Sequence, residues 1–112
     1  MELIVETLAN GVTKVNLAGR FDRFGAEAID LEFRTVSESQ RKVIVDLERV
    51  SFLTSMGIRT IVIGPKAVTA HGGRMVLLKP TADVEKVLTS VGIDTVVSIV
   101  HDLDAAIGAL AN

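Results

Sequence analysis

The chain has 112 residues, enough for one domain with its own core, and 48% of them are hydrophobic. Its net charge of −2 argues against nucleic acid as a direct partner, and the absence of cysteine excludes disulfides and thiolate chemistry. The N-terminus has no basic region, and no stretch approaches the ~18 apolar residues of a spanning helix. We therefore expect a cytoplasmic protein without membrane insertion.

The N-terminal part of the chain predicts a β-hairpin followed by a helix. Residues 3–5 form a short apolar strand, and an Asn-Gly dipeptide at positions 10–11 predicts a two-residue type I′ turn. Residues 12–18 alternate apolar and polar side chains, as a half-exposed antiparallel strand does. Residues 25–37 carry apolar side chains at helical spacing, which predicts an amphipathic helix.

The middle of the chain predicts a buried strand that leads into a second helix. Residues 43–45 are continuously apolar, as in a central strand covered on both faces, and this strand is expected to end at Asp46 and Leu47. A polar connection at residues 48–49 separates it from a second apolar patch at residues 50–53. A helical period then begins near Ser55.

The C-terminal half predicts alternating strands and helices. A Gly-Pro pair at positions 64–65 interrupts the second helix, where we expect a kink or a break. Glycines at positions 72–73 end that helix. The remaining predicted elements are a strand at residues 74–78, a helix capped by Thr81, a strand at residues 95–100 and a helix capped by Asp102.

The order of these elements is β-β-α-β-α-β-α-β-α. After the hairpin, strands alternate with helices, and such alternation favours parallel crossover connections. We therefore predict an α/β fold, a single domain over residues 1–112 with a mixed, mostly parallel sheet flanked by about four helices.

The junction between the central strand and the second helix carries two hydroxyl side chains, Thr54 and Ser55. A helix start has free backbone N–H groups and the positive end of the helix dipole. A hydroxyl at this place can cap the helix, and a phosphate attached to it would be well tolerated. From spacing alone, Ser55 is either a plain cap or a modification site.

The same junction resembles a motif of the STAS family, the domain of bacterial anti-sigma factor antagonists. Residues 46–58 read D-L-E-R-V-S-F-L-T-S-M-G-I, which is similar to the family's D-L-x-x-V-x-F-[ILM]-D-S-[ST]-G-L. The segments G-R-F-D at 19–22, G-G at 72–73 and T-S-V-G-I at 89–93 also agree with family segments. The resemblance covers essentially the whole chain and implies a STAS-like fold.

The resemblance also implies a function. Antagonists of this family bind an anti-sigma factor that is also a serine kinase of the histidine-kinase-like ATPase fold, and binding releases the sigma factor. The kinase inactivates the antagonist by phosphorylating a serine, and a serine phosphatase restores it. On this basis Ser55 is the phosphorylation site, and the expected partner-binding residues are Asp22, Thr54, Ser55, Met56, Gly57 and Arg59.

Two motif positions depart from the family pattern. Thr54 replaces the family's aspartate, and Met56 replaces its second serine or threonine. These departures keep open a STAS module without sigma control, either a subunit of a signalling scaffold or an accessory protein of a transporter. Asp22 has the alternative role of ending its strand and binding loop amides, and Arg59 that of a solvated side chain.

An enzyme is the competing class, and the motifs argue against it. There is no G-x-S-x-G around Ser55, no G-x-G-x-x-G and no P-loop. His71 and His101 are 30 positions apart without a third candidate ligand beside either, so we expect neither a metal nor a cofactor. A pocket with a histidine within hydrogen-bond reach of Ser55 would favour an enzyme instead.

Overall fold

A five-stranded mixed sheet is the centre of the computed structural model, which describes residues 1–111. The strands lie side by side in chain order: β1 (Glu2–Thr7), β2 (Val12–Phe21), β3 (Lys42–Leu53), β4 (Arg74–Leu78) and β5 (Ser98–Val100). β1 is antiparallel to β2, and the other neighbours are parallel. The helices are α1 (Arg23–Ser39), α2 (Ser55–Ala70), α3 (Ala82–Ser90) and α4 (Leu103–Leu110). The predicted fold class and element order are confirmed.

The sheet has a hydrophobic core on each face. Alternate residues of β3 point to opposite faces, so Val43 and Val45 belong to one core and Ile44 to the other. The larger core also takes buried residues from α1, α2 and α3, and the smaller core takes Ala106 and Leu110 from α4. The central strand is therefore buried on both faces, as its continuous apolar run predicts.

β3 is longer than predicted. It continues through the polar residues Glu48 and Arg49 as one strand of 12 residues, so the predicted connection between two apolar patches is wrong. The pairing with β2 shifts register twice, between Asn16 and Ala18 and between Gly19 and Arg20. Such irregularities allow a strand to bend without ending. β4 pairs only with the first part of β3, as far as Asp46, and the rest of β3 extends beside β2.

The β1–β2 hairpin is confirmed, but its turn is wider than the predicted two-residue loop. Asn10 and Gly11 have positive φ angles of 62° and 74°, as an Asn-Gly turn requires. The last paired residues are Thr7 and Thr13. Inside this pair, the Leu8 N–H donates to the Val12 carbonyl at 2.8 Å, which closes the turn.

α2 continues through Pro65, so of the predicted kink or break, the break is wrong. The helix has 16 residues, and both Gly64 and Pro65 are buried within it. A Cβ atom added at Gly64 would lie only 2.7 Å from Cε2 of Phe33, which shows how closely α2 approaches α1 at this point. This close packing holds together a helix that has lost one internal hydrogen bond at the proline.

The last strand is shorter than predicted. Gly92 takes a left-handed conformation, with φ of 79°, and residues Ile93–Thr95 form a 3₁₀ turn in place of the start of a strand. The predicted helix ends agree better with the structure: α2 ends just before Gly72, whose φ is 85°.

Among the residues that the structure describes, no helix is both long and apolar enough to cross a membrane.

Candidate functional site

The starts of α1 and α2 lie next to each other at the carboxyl ends of β2 and β3. Phe21 pairs with Leu53 in the parallel register, so the residues that follow them, Asp22 and Thr54, occupy neighbouring positions. In open α/β sheets, the carboxyl ends of the strands are where binding sites usually form. The sequence motif around Ser55 therefore lies at the edge of the sheet expected for a site.

The backbone carbonyl of Phe21 joins the two junctions. It accepts a hydrogen bond from the Thr54 N–H at 3.0 Å and another from the Thr54 hydroxyl at 3.3 Å. Thr54 occupies the cap position of α2, yet its side chain makes no cap hydrogen bond because it is directed to Phe21. Ser55 is the first residue of the helix, so the alternative in which Ser55 caps α2 is wrong.

Ser55 is exposed, and its hydroxyl makes no hydrogen bond within the described part of the chain. The first turn of α2 contains no acidic residue. In the other three helices, a side chain accepts from the third N–H of the helix: Asp22 from Gly25 at 2.9 Å, Thr81 from Val84 at 3.3 Å and Asp102 from Ala105 at 2.7 Å. The start of α2 thus has neither a side-chain acceptor nor a negative charge of its own.

Asp22 has a local structural role. Its carboxylate caps α1 through the Gly25 N–H, and its Oδ2 lies 3.5 Å from Nε of Arg20. The pKa of Asp22 is lowered, chiefly by the hydrogen bond from Gly25 and further by Arg20, against an opposing effect of desolvation. Asp22 follows the end of β2, as expected, but the amide that it binds belongs to the first turn of α1 and not to a loop. Its carboxylate makes no hydrogen bond to Ser55.

The lowered pKa of Asp22 gives a prediction for stability against pH. Because the charged carboxylate is favoured in the folded state, its contribution is present above the ordinary value of 3.8 and is lost as pH falls through the lowered pKa. Asp22→Ala should therefore lower the urea midpoint at pH 7, and its deficit relative to wild type should shrink as the pH falls below 3.8. Urea titrations at several pH values test this. Glu32→Ala, an exposed change on the same helix, is the control, and a pH-independent deficit for Asp22→Ala would contradict the prediction.

Gly57 is buried directly against the Phe21 carbonyl, and Met56 and Arg59 lie on the more open side of α2. Met56 is half-buried and Arg59 is exposed. Both line a groove of about 310 Å³ between α1 and α2, together with Ala26, Glu27, Asp30, Thr60 and Ile63. Of the predicted site residues, the structure therefore gathers Asp22, Thr54 and Gly57 around Phe21 and leaves Ser55 and Arg59 open to solvent.

Two aromatic side chains near the junctions were not predicted as site residues. The guanidinium of Arg20 lies 4.3 Å from the ring centre of Phe52, and that of Arg23 lies 5.2 Å from the ring centre of Phe24. Phe52 is 44% exposed and Phe24 71% exposed. Arg20 and Phe52 are cross-strand partners, a pairing that only the register of β2 and β3 reveals. Exposed rings beside guanidinium groups are typical of protein-binding surfaces.

The histidines do not support an enzyme built on Ser55. His71 lies at the far end of α2, where its Nε2 is 3.0 Å from the Ser37 carbonyl oxygen. His101 Nε2 is 2.8 Å from a carboxylate oxygen of Glu85. Both imidazoles therefore have partners away from Ser55, and no histidine within residues 1–111 forms a serine–base pair with it. Nor do three or more potential metal ligands come together in this part of the chain.

A comparison with protein-family models decides the family. The model of the STAS domain matches residues 5–106. The chain belongs to the STAS domain family. The resemblance inferred from the motifs around Ser55 is thereby confirmed.

Known proteins resemble this STAS domain over nearly its full length. The protein named "Putative anti-sigma factor antagonist BtrV" from Bordetella bronchiseptica is 24% identical over 97% of this chain and 94% of its own. An anti-sigma-factor antagonist (STAS) domain protein from Planctomyces limnophilus is 26% identical in sequence. The two structures have a TM-score of 0.86, with 98% of each chain covered. The Bacillus cell fate determinant SpoIIAA in its phosphorylated form is 22% identical, with a TM-score of 0.73, covering 98% of this chain and 100% of its own.

Proposed function

We propose that this STAS domain is an anti-sigma factor antagonist that binds an anti-sigma factor and thereby releases a sigma factor. The partner in this proposal is a serine kinase of the histidine-kinase-like ATPase fold, and the encounter takes place in the cytoplasm, where ATP is available. The observation that carries the proposal is the exposed Ser55 at the uncapped start of α2. The motif resemblance assigns this residue the role of the family's phosphorylated serine.

Ser55 is the better phosphate acceptor of the two hydroxyl residues. The Thr54 hydroxyl donates to the Phe21 carbonyl and is partly buried, whereas the Ser55 hydroxyl is exposed and makes no hydrogen bond within the described residues. A kinase can therefore reach Ser55 without breaking a hydrogen bond of the fold. The replacement of the family's aspartate by Thr54 also removes a negative charge that would repel the new phosphate.

A phosphate on Ser55 is compatible with the fold. It would add about 1.5 to 2 negative charges next to the positive end of the α2 dipole, where no side chain competes for the first N–H groups. Arg59 lies one helical turn further on, is exposed and forms no ion pair within residues 1–111. A side chain at this i+4 spacing can reach back to the phosphate.

The same phosphate would prevent binding of the partner. The proposed binding surface consists of Asp22, Thr54, Ser55, Met56, Gly57 and Arg59. A partner packed on this surface would have to desolvate a hydrated dianion at its centre, which costs far more than desolvating a hydroxyl. Phosphorylation of Ser55 by the kinase therefore ends the interaction, and a serine phosphatase restores it.

A pull-down from lysate of the native host tests the proposal. Wild-type protein and Ser55→Asp are immobilised side by side, with Ser51→Asp, a change at another exposed serine, as the control for added charge. We expect wild type and Ser51→Asp to retain a kinase-like ATPase that mass spectrometry identifies, and Ser55→Asp to release it. Equal retention of scaffold or transporter subunits by all three would instead support a STAS module without sigma control.

A further inference from the structure

The carboxyl ends of β2 and β3 form a two-stranded extension of the sheet. Towards this end, β1 pairs with β2 only as far as Ala18, and β4 pairs with β3 only as far as Asp46. Beyond these positions the two central strands pair only with each other, up to Phe21 and Leu53. One face of the extension contributes these last two side chains to the larger core. The side chains on its other face belong to neither core.

Arg20 and Phe52 lie on this open face of the extension. They are cross-strand partners, and each alternates with a buried neighbour of the larger core, Phe21 or Leu53. The phenyl ring stacks under the guanidinium and is still half-exposed. A strand position that faces water is normally polar, so nothing in the packing of the fold requires an aromatic ring here.

Asp22 holds the Arg20 side chain from one side. Its Oδ2 lies 3.5 Å from Nε of Arg20, while its Oδ1 accepts the hydrogen bond from the Gly25 N–H that caps α1. The Arg20 side chain is 64% exposed, and its two Nη groups form no hydrogen bond with residues 1–111. The outer edge of the guanidinium is therefore available to a carboxylate of another molecule.

We infer that Phe52 and Arg20 together form an anchor for the anti-sigma factor, and that Asp22 is a positioning residue that acts on this partner through Arg20. The partner contributes an apolar pocket that takes the phenyl ring and, at the rim of this pocket, a carboxylate that pairs with the guanidinium. The inference rests on the proposed function, because the molecule that occupies the open face is the partner that binds around Ser55.

The anchor is continuous with the surface around Ser55. Phe52 precedes Ser55 by three positions, and Arg20 precedes Phe21, whose carbonyl binds Thr54. A partner that covers Ser55 therefore meets the open face at its border. Aromatic and arginine side chains are enriched at protein interfaces and often dominate their binding energy. Because the ring and the guanidinium are already stacked, they lose little side-chain freedom on binding.

Calorimetric titration of the purified anti-sigma partner tests the anchor. Phe52→Ala and Arg20→Ala should each raise the dissociation constant at least about 10-fold. Val96→Ala removes an equally accessible apolar side chain, 62% exposed and beyond α3, and should leave the constant unchanged. Arg20→Ala alters an exposed side chain only, so it tests the anchor even if loss of the ring weakens β3.

The outcomes separate this inference from the proposed function. If Phe52→Ala and Arg20→Ala bind as tightly as wild type while Ser55→Asp does not bind, the anchor is overturned and the proposed function stands. If the wild-type protein binds no anti-sigma factor, the proposed function fails and the anchor fails with it.

Asp22→Asn tests the positioning role. Asparagine caps helices about as well as aspartate, but it removes the charge that holds Arg20. We expect the dissociation constant to rise about two- to fivefold, in line with the loss of an exposed ion pair. The same substitution in the Arg20→Ala background should have no further effect, because its route to the partner is gone. An equal effect in both backgrounds would show that Asp22 acts independently of Arg20 and would overturn this role.

Discussion

Gly57→Ala is expected to lower the free energy of unfolding by about 2 to 3 kcal/mol, which is large for the addition of one methyl group. The new Cβ would lie 2.7 Å from Cδ1 of Leu53 and 2.9 Å from Cγ of Phe21, and closer still to the Phe21 carbonyl oxygen. The side chain of Leu53 can rotate, but the carbonyl belongs to the backbone of β2 and holds Thr54 in place. Relief therefore requires the start of α2 to move away from the sheet.

Urea titration or thermal unfolding measures this loss, and Gly108→Ala is the matched control. Gly108 lies inside α4 with open space around its missing Cβ, so alanine there should stabilise the protein by about 0.5 to 1 kcal/mol through helix propensity. The same substitution thus has opposite signs at two helical glycines. A destabilisation of less than about 1 kcal/mol by Gly57→Ala would show that α2 can shift at little cost.

Ser55→Asp is expected to weaken binding to the anti-sigma partner by about 100-fold, equivalent to about 3 kcal/mol. The charge would be placed at the centre of the proposed binding surface, where a partner must remove its water. Phosphorylated Ser55, with about two charges instead of one, should weaken binding further. Ser55→Ala removes only an exposed hydroxyl and should change affinity by less than about threefold.

Calorimetric titration of the purified partner into each variant measures these affinities. Ser51→Asp controls for the change in net charge, because Ser51 is exposed on β3 before the junction. A Ser55→Asp variant that binds as tightly as wild type would count against the switch. A Ser55→Ala variant that loses binding as completely as Ser55→Asp would mean that the partner requires the hydroxyl itself, and would argue against control by charge.

Local features of the chain could be predicted well from the sequence. Thr81 and Asp102 cap their helices because the hydrogen bonds involved span only three residues. Gly72 ends α2 because its left-handed conformation is a local preference of glycine. The order of the elements could also be predicted, because the hydrophobic period that distinguishes a strand from a helix is visible within one segment of the chain.

Features that depend on distant contacts could not be predicted in the same way. The continuation of β3 through Glu48 and Arg49 depends on the irregular register with β2. Thr54, and not Ser55, occupies the cap position of α2, and its hydroxyl donates to the carbonyl of Phe21, which lies 33 positions away. Pro65 stays within its helix through burial at the contact between α1 and α2. In each case a tertiary contact overrides the local preference.

The order of the strands across the sheet has a consequence for how the protein is made. Each strand lies beside the strand that precedes it in the chain, so no strand has to be inserted between two already paired. The hairpin and the successive strand–helix units can therefore join the growing edge in the order in which they leave the ribosome. The second face is different, because its cover is α4, which follows all five strands in the chain. Ile44, Val76 and Leu78 stay uncovered on that face until α4 has been synthesised, and nascent chains arrested before α4 should be those that chaperones recognise.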